Sequence, residues 1–159
     1  RLIEAFASIA GDVPHHLIIT GGKGWLYESI FEQVKRSGLE GRVHFPGFVH
    51  DADLPTLYSA ADLFAYVSLY EGFGLPLLEA MACGTPVIGS NISSLPEVIG
   101  DVGLQVDPYN MNDIARALIQ MIGTPELRER SIGLGLKRAK LFTWDKAARE
   151  LLAIYDRLV

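Results

Sequence analysis

Two acidic residues, Glu71 and Glu79, are separated by seven residues within the largely apolar stretch "SLYEGFGLPLLEAMACGTPV" at 68–87. Glu71 opens a Gly-Phe-Gly turn, and Glu79 follows inside a helix that is predicted to be buried. A carboxylate is costly to take out of water without a partner, so each of the two is expected to have one. Because ionised carboxylates accept hydrogen bonds and hydroxyl groups donate them, the pair favours the binding of a hydroxyl-rich molecule.

The "GFG" turn at residues 72–74 lies between the two carboxylates and leads into a helix that Pro76 begins favourably. Glycines let backbone N–H groups approach a ligand, and the first N–H groups of a helix attract anions. A phosphate or diphosphate is therefore predicted here, and a diphosphate flanked by two sugars is a nucleotide-sugar. The structural alternatives are that Glu79 closes a capping box, that Glu71 is an exposed loop charge, and that the glycines serve only the turn.

Short apolar strands alternate with helical segments along the first two thirds of the chain. Such alternation is typical of a parallel sheet with helices on both faces, whose strand-to-helix loops meet at one edge. We therefore predict an α/β fold with a Rossmann-like doubly wound parallel sheet. The predicted strands are "HLIIT" (16–20), "RVHFPGF" (42–48), "DLFAYV" (62–67), "TPVIGS" (85–90) and "GLQVD" (103–107).

The length of 159 residues and the lack of a low-complexity linker predict one domain, 1–159, with a helical tail at 110–159. Three helices are expected in that tail, the second capped by Thr124 and the third by Thr143. The opening stretch "RLIEAFASIAG" has helical spacing with no strand before it. We expect the domain to be truncated at its N-terminus, with its first strand absent.

Composition narrows the classes of function. The net charge of −5 gives no support to a nucleic-acid-binding surface. Cys83 is the only cysteine, which excludes a disulfide framework and favours a reducing, cytoplasmic location. Its apolar neighbours predict a small buried side chain. No apolar run approaches about 18 residues, so no membrane-spanning helix is predicted.

The stretch "EGFGLPLLEAMACGTPVI" resembles the Glu-seven-Glu signature of retaining glycosyltransferases with the GT-B architecture, in their large fourth sequence family. The resemblance extends downstream through "SNISSLPEVIGDVGLQVDP" and upstream through "HLIITGGKGW" and "VHFPGFVHDADLPTLYSAADLF", and it covers nearly the whole chain. It implies the C-terminal, donor-binding half of a GT-B enzyme, with an acceptor-binding N-terminal domain elsewhere.

The resemblance also implies roles for individual residues. Glu71 would be the catalytic residue, in contact with a hydroxyl of the donor hexose, and Glu79 would bind the ribose hydroxyls. The other donor-binding residues would be the turn that holds the diphosphate and, near the base, two further loops: Gly72, Phe73, Gly74, Leu75, Gly22, Phe48 and Val49.

The implied reaction is the transfer of a hexose to a glycan or lipid-linked acceptor, with retention and without a metal or cofactor. Ser93-Ser94, where many members have a glycine pair, suggests the mannosyl and rhamnosyl subgroup and hence GDP-mannose as donor. Peripheral membrane contact through the absent half is a possible consequence. Members carry an Arg and a Lys upstream of the opening helix, so residues 1–159 alone are expected to bind donor weakly and to be inactive. A nucleotide-sugar 2-epimerase and a non-catalytic nucleotide-sugar sensor are the alternatives.

Other chemical patterns in the chain have simpler explanations. Asp51 and Asp53 spell the Asp-x-Asp of a metal-dependent glycosyltransferase architecture, but Asp53 precedes a helix start and is predicted to cap it. No metal site is predicted. Lys23 lacks the spacing of a P-loop. The histidines form no recognisable ligand set: His15, His16, His44 and His50.

Overall fold

The computed structural model describes residues 1–22 and 28–158, and all five predicted strands occur in that part of the chain. Helices and strands alternate up to the fifth strand and are followed by three helices. The elements are α1 (Leu2–Ile9), β1 (Leu17–Thr20), α2 (Glu28–Arg36), β2 (Val43–Gly47), α3 (Leu54–Ala60), β3 (Phe64–Tyr66), α4 (Leu75–Ala82), β4 (Val87–Ser90), α5 (Leu95–Ile99), β5 (Leu104–Val106), α6 (Met111–Gly123), α7 (Pro125–Ala139) and α8 (Trp144–Tyr155).

Every strand pairing is parallel, as the alternating pattern predicts, but the strands form two hydrogen-bonded sheets. One has the order β1-β2, with Leu17 opposite Val43, and the other the order β3-β4-β5, with Phe64 opposite Val87. In the doubly wound order 3-2-1-4-5-6, the break between β1 and β3 is the place of a strand that precedes α1. That upstream strand stays a prediction.

The strands lie between two layers of helices, and β4 shows both layers most directly. All four β4 residues are buried. Ile88 points into an apolar cluster formed largely by α1 and α6, whereas Val87 points into a second cluster formed by α4 and α5. Because successive strand residues face opposite sides of a sheet, β4 is covered on both faces, as expected of an α/β fold.

Arg42 joins α1, the loop after it and β2. Its guanidinium donates to the carbonyl oxygens of Ala10 at 3.0 Å, Val13 at 2.7 Å and His15 at 3.0 Å. Backbone carbonyls in a connecting loop need partners when they are partly removed from water. Arg42 supplies them from a single side chain, and the sequence pattern does not reveal this role.

A five-residue helix, α5, follows Ser93-Ser94 and was not predicted from the sequence. It packs tightly on β4, where a Cβ built on Gly89 would lie 2.3 Å from Ile99 Cδ1. A glycine at this strand position therefore lets the helix approach the sheet.

The three helices of the predicted helical tail are confirmed, and they differ in burial. Residues of α6 lie in the core, whereas α8 buries none of its residues, although it carries a wide apolar stripe. Thr143 caps α8 by accepting from the Lys146 N–H, but Thr124 forms no side-chain cap on α7. Across the described ranges, no helix combines the length and apolar character needed to cross a bilayer.

Candidate functional site

The loop from β3 to α4 carries Glu71, and α4 itself carries Glu79. The geometry of the loop explains the glycine at its end. Gly74 is the N-cap of α4, with φ +115°, and Pro76 lies in the first turn as predicted. A Cβ built on Gly74 would lie 2.7 Å from Leu95 Cδ2. Gly74 is therefore required both by its positive φ and by the close approach of α5.

The residues on either side of Gly74 are exposed, whereas Gly74 itself is buried. Phe73 and Leu75 are 43% and 45% exposed. Within the described part of the chain, the N–H groups of Phe73, Gly74 and Leu75 have no hydrogen-bond acceptor. Because the helix dipole places partial positive charge here, these three amides form a site suited to an anion.

Glu71 is half-buried beside this turn, and a tyrosine fixes its carboxylate. The Tyr66 hydroxyl donates to Glu71 Oε1 at 2.7 Å. Burial and then the hydrogen bond and charge of Glu71 raise the pKa of Tyr66 to about 12. The phenol therefore stays protonated as a donor at neutral pH, and no other described residue donates to the second oxygen of Glu71.

Glu79 is exposed, although the sequence predicts a buried helix around it. The reason is that α4 turns Leu77, Ala80 and Met81 into the core and leaves Glu79 on its outer side. Glu79 forms no capping box. Its Oε2 instead accepts from the Tyr58 hydroxyl at 3.0 Å, and burial together with this bond raises the pKa of Tyr58.

The two tyrosines belong to one row of aromatic rings. Tyr58 from α3 meets Phe64 edge-on at 5.2 Å, and Phe64 stacks with Tyr66 at 5.8 Å between ring centroids. Both carboxylates accept from this row, Glu79 from Tyr58 and Glu71 from Tyr66. This row was not predicted from the sequence. The sequence does contain one sign of it, because Phe64 and Tyr66 are two positions apart in β3 and therefore lie on the same face of the strand.

Ser93 and Ser94 hold the backbone of the loop that carries Glu71. The Ser93 hydroxyl accepts from the Glu71 N–H at 3.1 Å and donates to the Glu71 carbonyl, and Ser94 donates to the carbonyls of Glu71 and Phe73 at 2.9 and 2.8 Å. Ser93 adopts a left-handed φ of +61°, which is uncommon outside glycine. The sequence marks these serines only as a hint to a subgroup, and this structural role was not predicted.

The three residues predicted to lie near the nucleotide base, Gly22, Phe48 and Val49, follow the strands of the β1-β2 sheet. Thr20 pairs with Gly47, so the exposed Gly22 and Phe48, followed by Val49, leave β1 and β2 at the same carboxyl edge. A shallow cleft of about 110 Å³ opens there between the two strands and α2. The structure groups these three residues with one another but records no contact between them and Glu71 or Glu79 in the residues it describes.

The remaining candidates are placed as follows. Asp53 takes the N-cap position of α3 but forms no side-chain cap, and Asp51 is exposed; no metal-ligand cluster occurs in residues 1–22 and 28–158. Cys83 is half-exposed at the end of α4, not buried as predicted. Lys23 lies outside the described residues.

The four histidines lie on loops and on the edge of β2. His16 and His44 stack with ring nitrogens 2.7 Å apart, His15 meets Asp62 at 3.5 Å, and His50 contacts Phe48. These are pairwise contacts, and they leave the histidines apart from the two signature carboxylates.

Comparisons with known proteins agree with this geometry. The family described as "Glycosyl transferases group 1" matches residues 1–137. The O-antigen chain mannosyltransferase B of Escherichia coli is 44% identical over 142 residues, covering 89% of this chain and 37% of that protein.

Two solved structures share the fold. The sucrose-phosphate synthase of Thermosynechococcus elongatus has a TM-score of 0.83 at 32% identity and covers 98% of this chain and 42% of that one. HepE of Anabaena, in complex with UDP and glucose, has a TM-score of 0.79 at 27% identity, with coverages of 96% and 43%. The chain thus spans less than half of the length of these proteins. It belongs to the glycosyl transferases group 1 family.

Proposed function

We propose that this chain is the donor-binding domain of a retaining glycosyltransferase. The observation that carries the proposal is a turn with three unpaired amides, at Phe73, Gly74 and Leu75, flanked by two carboxylates that tyrosine hydroxyls hold in place. The amides suit a diphosphate, and the free carboxylate oxygens suit sugar hydroxyls. In this assignment Glu71 contacts the hexose and Glu79 the ribose.

The donor that we propose is GDP-mannose. The support is the name of a relative, the O-antigen chain mannosyltransferase B, and the pair Ser93-Ser94. The base would lie near Gly22, Phe48 and Val49, at the carboxyl edge of β1 and β2. A glycan or lipid-linked acceptor would be bound by residues outside this chain, and peripheral membrane contact would belong to those residues as well.

Transfer of the sugar builds negative charge on the departing diphosphate. The helix N-terminus in this chain supplies only part of the stabilisation that this charge needs in the transition state. Enzymatic acceleration requires about 8 kcal/mol or more of transition-state stabilisation, whereas a helix N-terminus contributes roughly 0.3–2 kcal/mol. An Arg and a Lys upstream of α1, which the family resemblance implies, would supply charge-assisted bonds without a metal ion. Glu71 would orient and polarise the hexose without becoming glycosylated.

The test is calorimetric titration of the full-length protein with GDP-mannose, GDP-glucose, UDP-glucose and UDP-N-acetylglucosamine in the presence of EDTA. We expect binding of one donor, and Glu71→Gln should lower donor turnover at least about 100-fold, in line with the removal of a group aimed at the transition state. Glu40→Gln, on an exposed loop, is the matched control and should retain turnover. Failure of every donor to bind, or a strict metal requirement, would refute the proposal.

A further inference from the structure

We propose that Tyr66 and Tyr58 are positioning residues with separate effects: Tyr66 acts through Glu71 on the sugar-transfer step, and Tyr58 acts through Glu79 on nucleoside binding. The inference rests on the proposed function and deepens it, because it assigns work to two side chains that lie behind the ligand-contacting groups. Each tyrosine hydroxyl donates to one of the two carboxylates.

The first pair is Tyr66 and Glu71. The carboxylate hangs from a loop and could rotate about its side-chain torsions, but the bond of 2.7 Å to the Tyr66 hydroxyl fixes Oε1. The second oxygen accepts from no described residue, which leaves it available to a sugar hydroxyl. The backbone of Glu71 is held independently by Ser93 and Ser94, so removal of the Tyr66 hydroxyl frees the carboxylate without freeing the loop.

The second pair is Tyr58 and Glu79, and the backbone of Tyr58 is also held in place by a hydrogen bond. Thr85, which is 2% exposed, donates its hydroxyl to the Tyr58 carbonyl at 2.7 Å. The Tyr58 ring packs edge-on against Phe64, which stacks on Tyr66. The row Tyr58–Phe64–Tyr66 therefore sets the spacing between two phenol hydroxyls, and each hydroxyl sets the direction of one carboxylate.

The two hydroxyls should influence different kinetic constants. A group that acts on the hexose gains strength as the transition state forms, so its misplacement lowers kcat. A group on the ribose holds a part of the donor that does not react, so its misplacement weakens binding in ground state and transition state alike and raises KM. A general loss of structure would not divide the two constants in this way.

The experiment uses Tyr66→Phe, Tyr58→Phe and, as matched control, Tyr70→Phe in the full-length protein. Tyr70 belongs to the same loop and is 81% exposed. Donor turnover is followed as release of nucleoside diphosphate from GDP-mannose or UDP-glucose. With one charge-assisted bond lost, we expect Tyr66→Phe to lower kcat about tenfold with little change in KM, Tyr58→Phe to raise KM about tenfold with little change in kcat, and Tyr70→Phe to match wild type.

A binding cycle tests whether Tyr58 acts through Glu79. Titration with GDP and with UDP should give the same weakened Kd for Glu79→Ala with and without Tyr58→Phe, because the phenol has no acceptor left to orient. Additive losses would overturn the inference for Tyr58.

The outcomes separate the inference from the proposed function. If wild type turns over a donor but Tyr66→Phe and Tyr58→Phe behave like Tyr70→Phe, or lower kcat and raise KM alike, the inference is wrong and the proposed function stands. If wild type neither binds nor turns over any of the four nucleotide-sugars named for the proposed function, both are refuted.

Discussion

Gly74→Ala should destabilise the fold far more than the neighbouring substitution Gly72→Ala, although both glycines belong to the same short turn. At Gly74 the backbone has φ +115° and ψ +44°, outside the region that residues with a Cβ adopt readily. At Gly72 the φ is not positive, and no atom lies within 4 Å of an added Cβ. The pair therefore isolates the effect of geometry from the effect of adding a methyl group.

The magnitude has two sources. Holding a non-glycine residue in a sparsely populated backbone region costs roughly 1–3 kcal/mol. The new methyl group would also lie 2.7 Å from Leu95 Cδ2, and Leu95 is fully buried, so the side chain must shift within a filled core. Overpacking of this kind costs roughly 1–3 kcal/mol. We expect a loss of about 2–6 kcal/mol in the free energy of unfolding, against roughly 0.5 kcal/mol for Gly72→Ala.

The assay is thermal unfolding of the full-length variants, followed by circular dichroism and by fluorimetry. At roughly 2–4 °C per kcal/mol, the Tm of Gly74→Ala should fall by about 5–20 °C, while that of Gly72→Ala should change by about 2 °C or less. Equal Tm values for the two variants would show that α5 does not constrain the turn. A fall confined to Gly72→Ala would contradict the assignment of Gly74 as the N-cap.

Substitutions at three positions test contacts that hold the candidate site and the strands and loops around it. Ser93→Ala should be less stable than Ser93→Gly by about 1 kcal/mol in urea unfolding, because both lose the hydroxyl but only alanine keeps the left-handed strain; equal stability would refute this. Arg42→Lys should lose about 2–3 kcal/mol, since three separate guanidinium nitrogens meet the three carbonyls and a single ammonium nitrogen cannot take all three positions, and a urea midpoint like that of wild type would contradict it. The pKa of Tyr66 is higher in the folded protein than in the unfolded chain, so between about pH 10 and about pH 12 the folded state holds this proton more tightly. The free energy of unfolding should therefore fall across this range, and Tyr66→Phe should flatten that fall in urea midpoints.

Much of the fold follows from local patterns in the sequence. All five strands lie within the short segments that predict them, although β3 and β5 are only three residues long, and the prolines at 76 and 125 lie in the first turns of α4 and α7 as predicted. These features depend on the chain's own neighbours, which a linear pattern records. The short helix α5 escapes prediction because five residues are too few to display a helical period.

The candidate site is predictable in its ligand-facing half and not in its supporting half. The spacing of Glu71, the glycines and Glu79 is local, so it can be read as an anion site between two hydroxyl-binding groups. The partners of these groups come from elsewhere: Tyr58 lies 21 positions before Glu79, and Ser93 lies 22 positions after Glu71. Only the tertiary fold decides which of the chain's polar side chains reach them.

This division has a consequence for how the site can vary. Residues that contact a ligand are constrained by the chemistry of that ligand. The supporting residues are constrained by distance instead: Tyr58 must reach from α3 to Glu79, and Tyr66 and the two serines must reach Glu71. A change in the supporting set would redirect a carboxylate while leaving the Glu-seven-Glu spacing intact. The same signature could then bind a different sugar. The spacing alone therefore does not determine which donor is bound, whereas the orientation of Glu71 and Glu79 does.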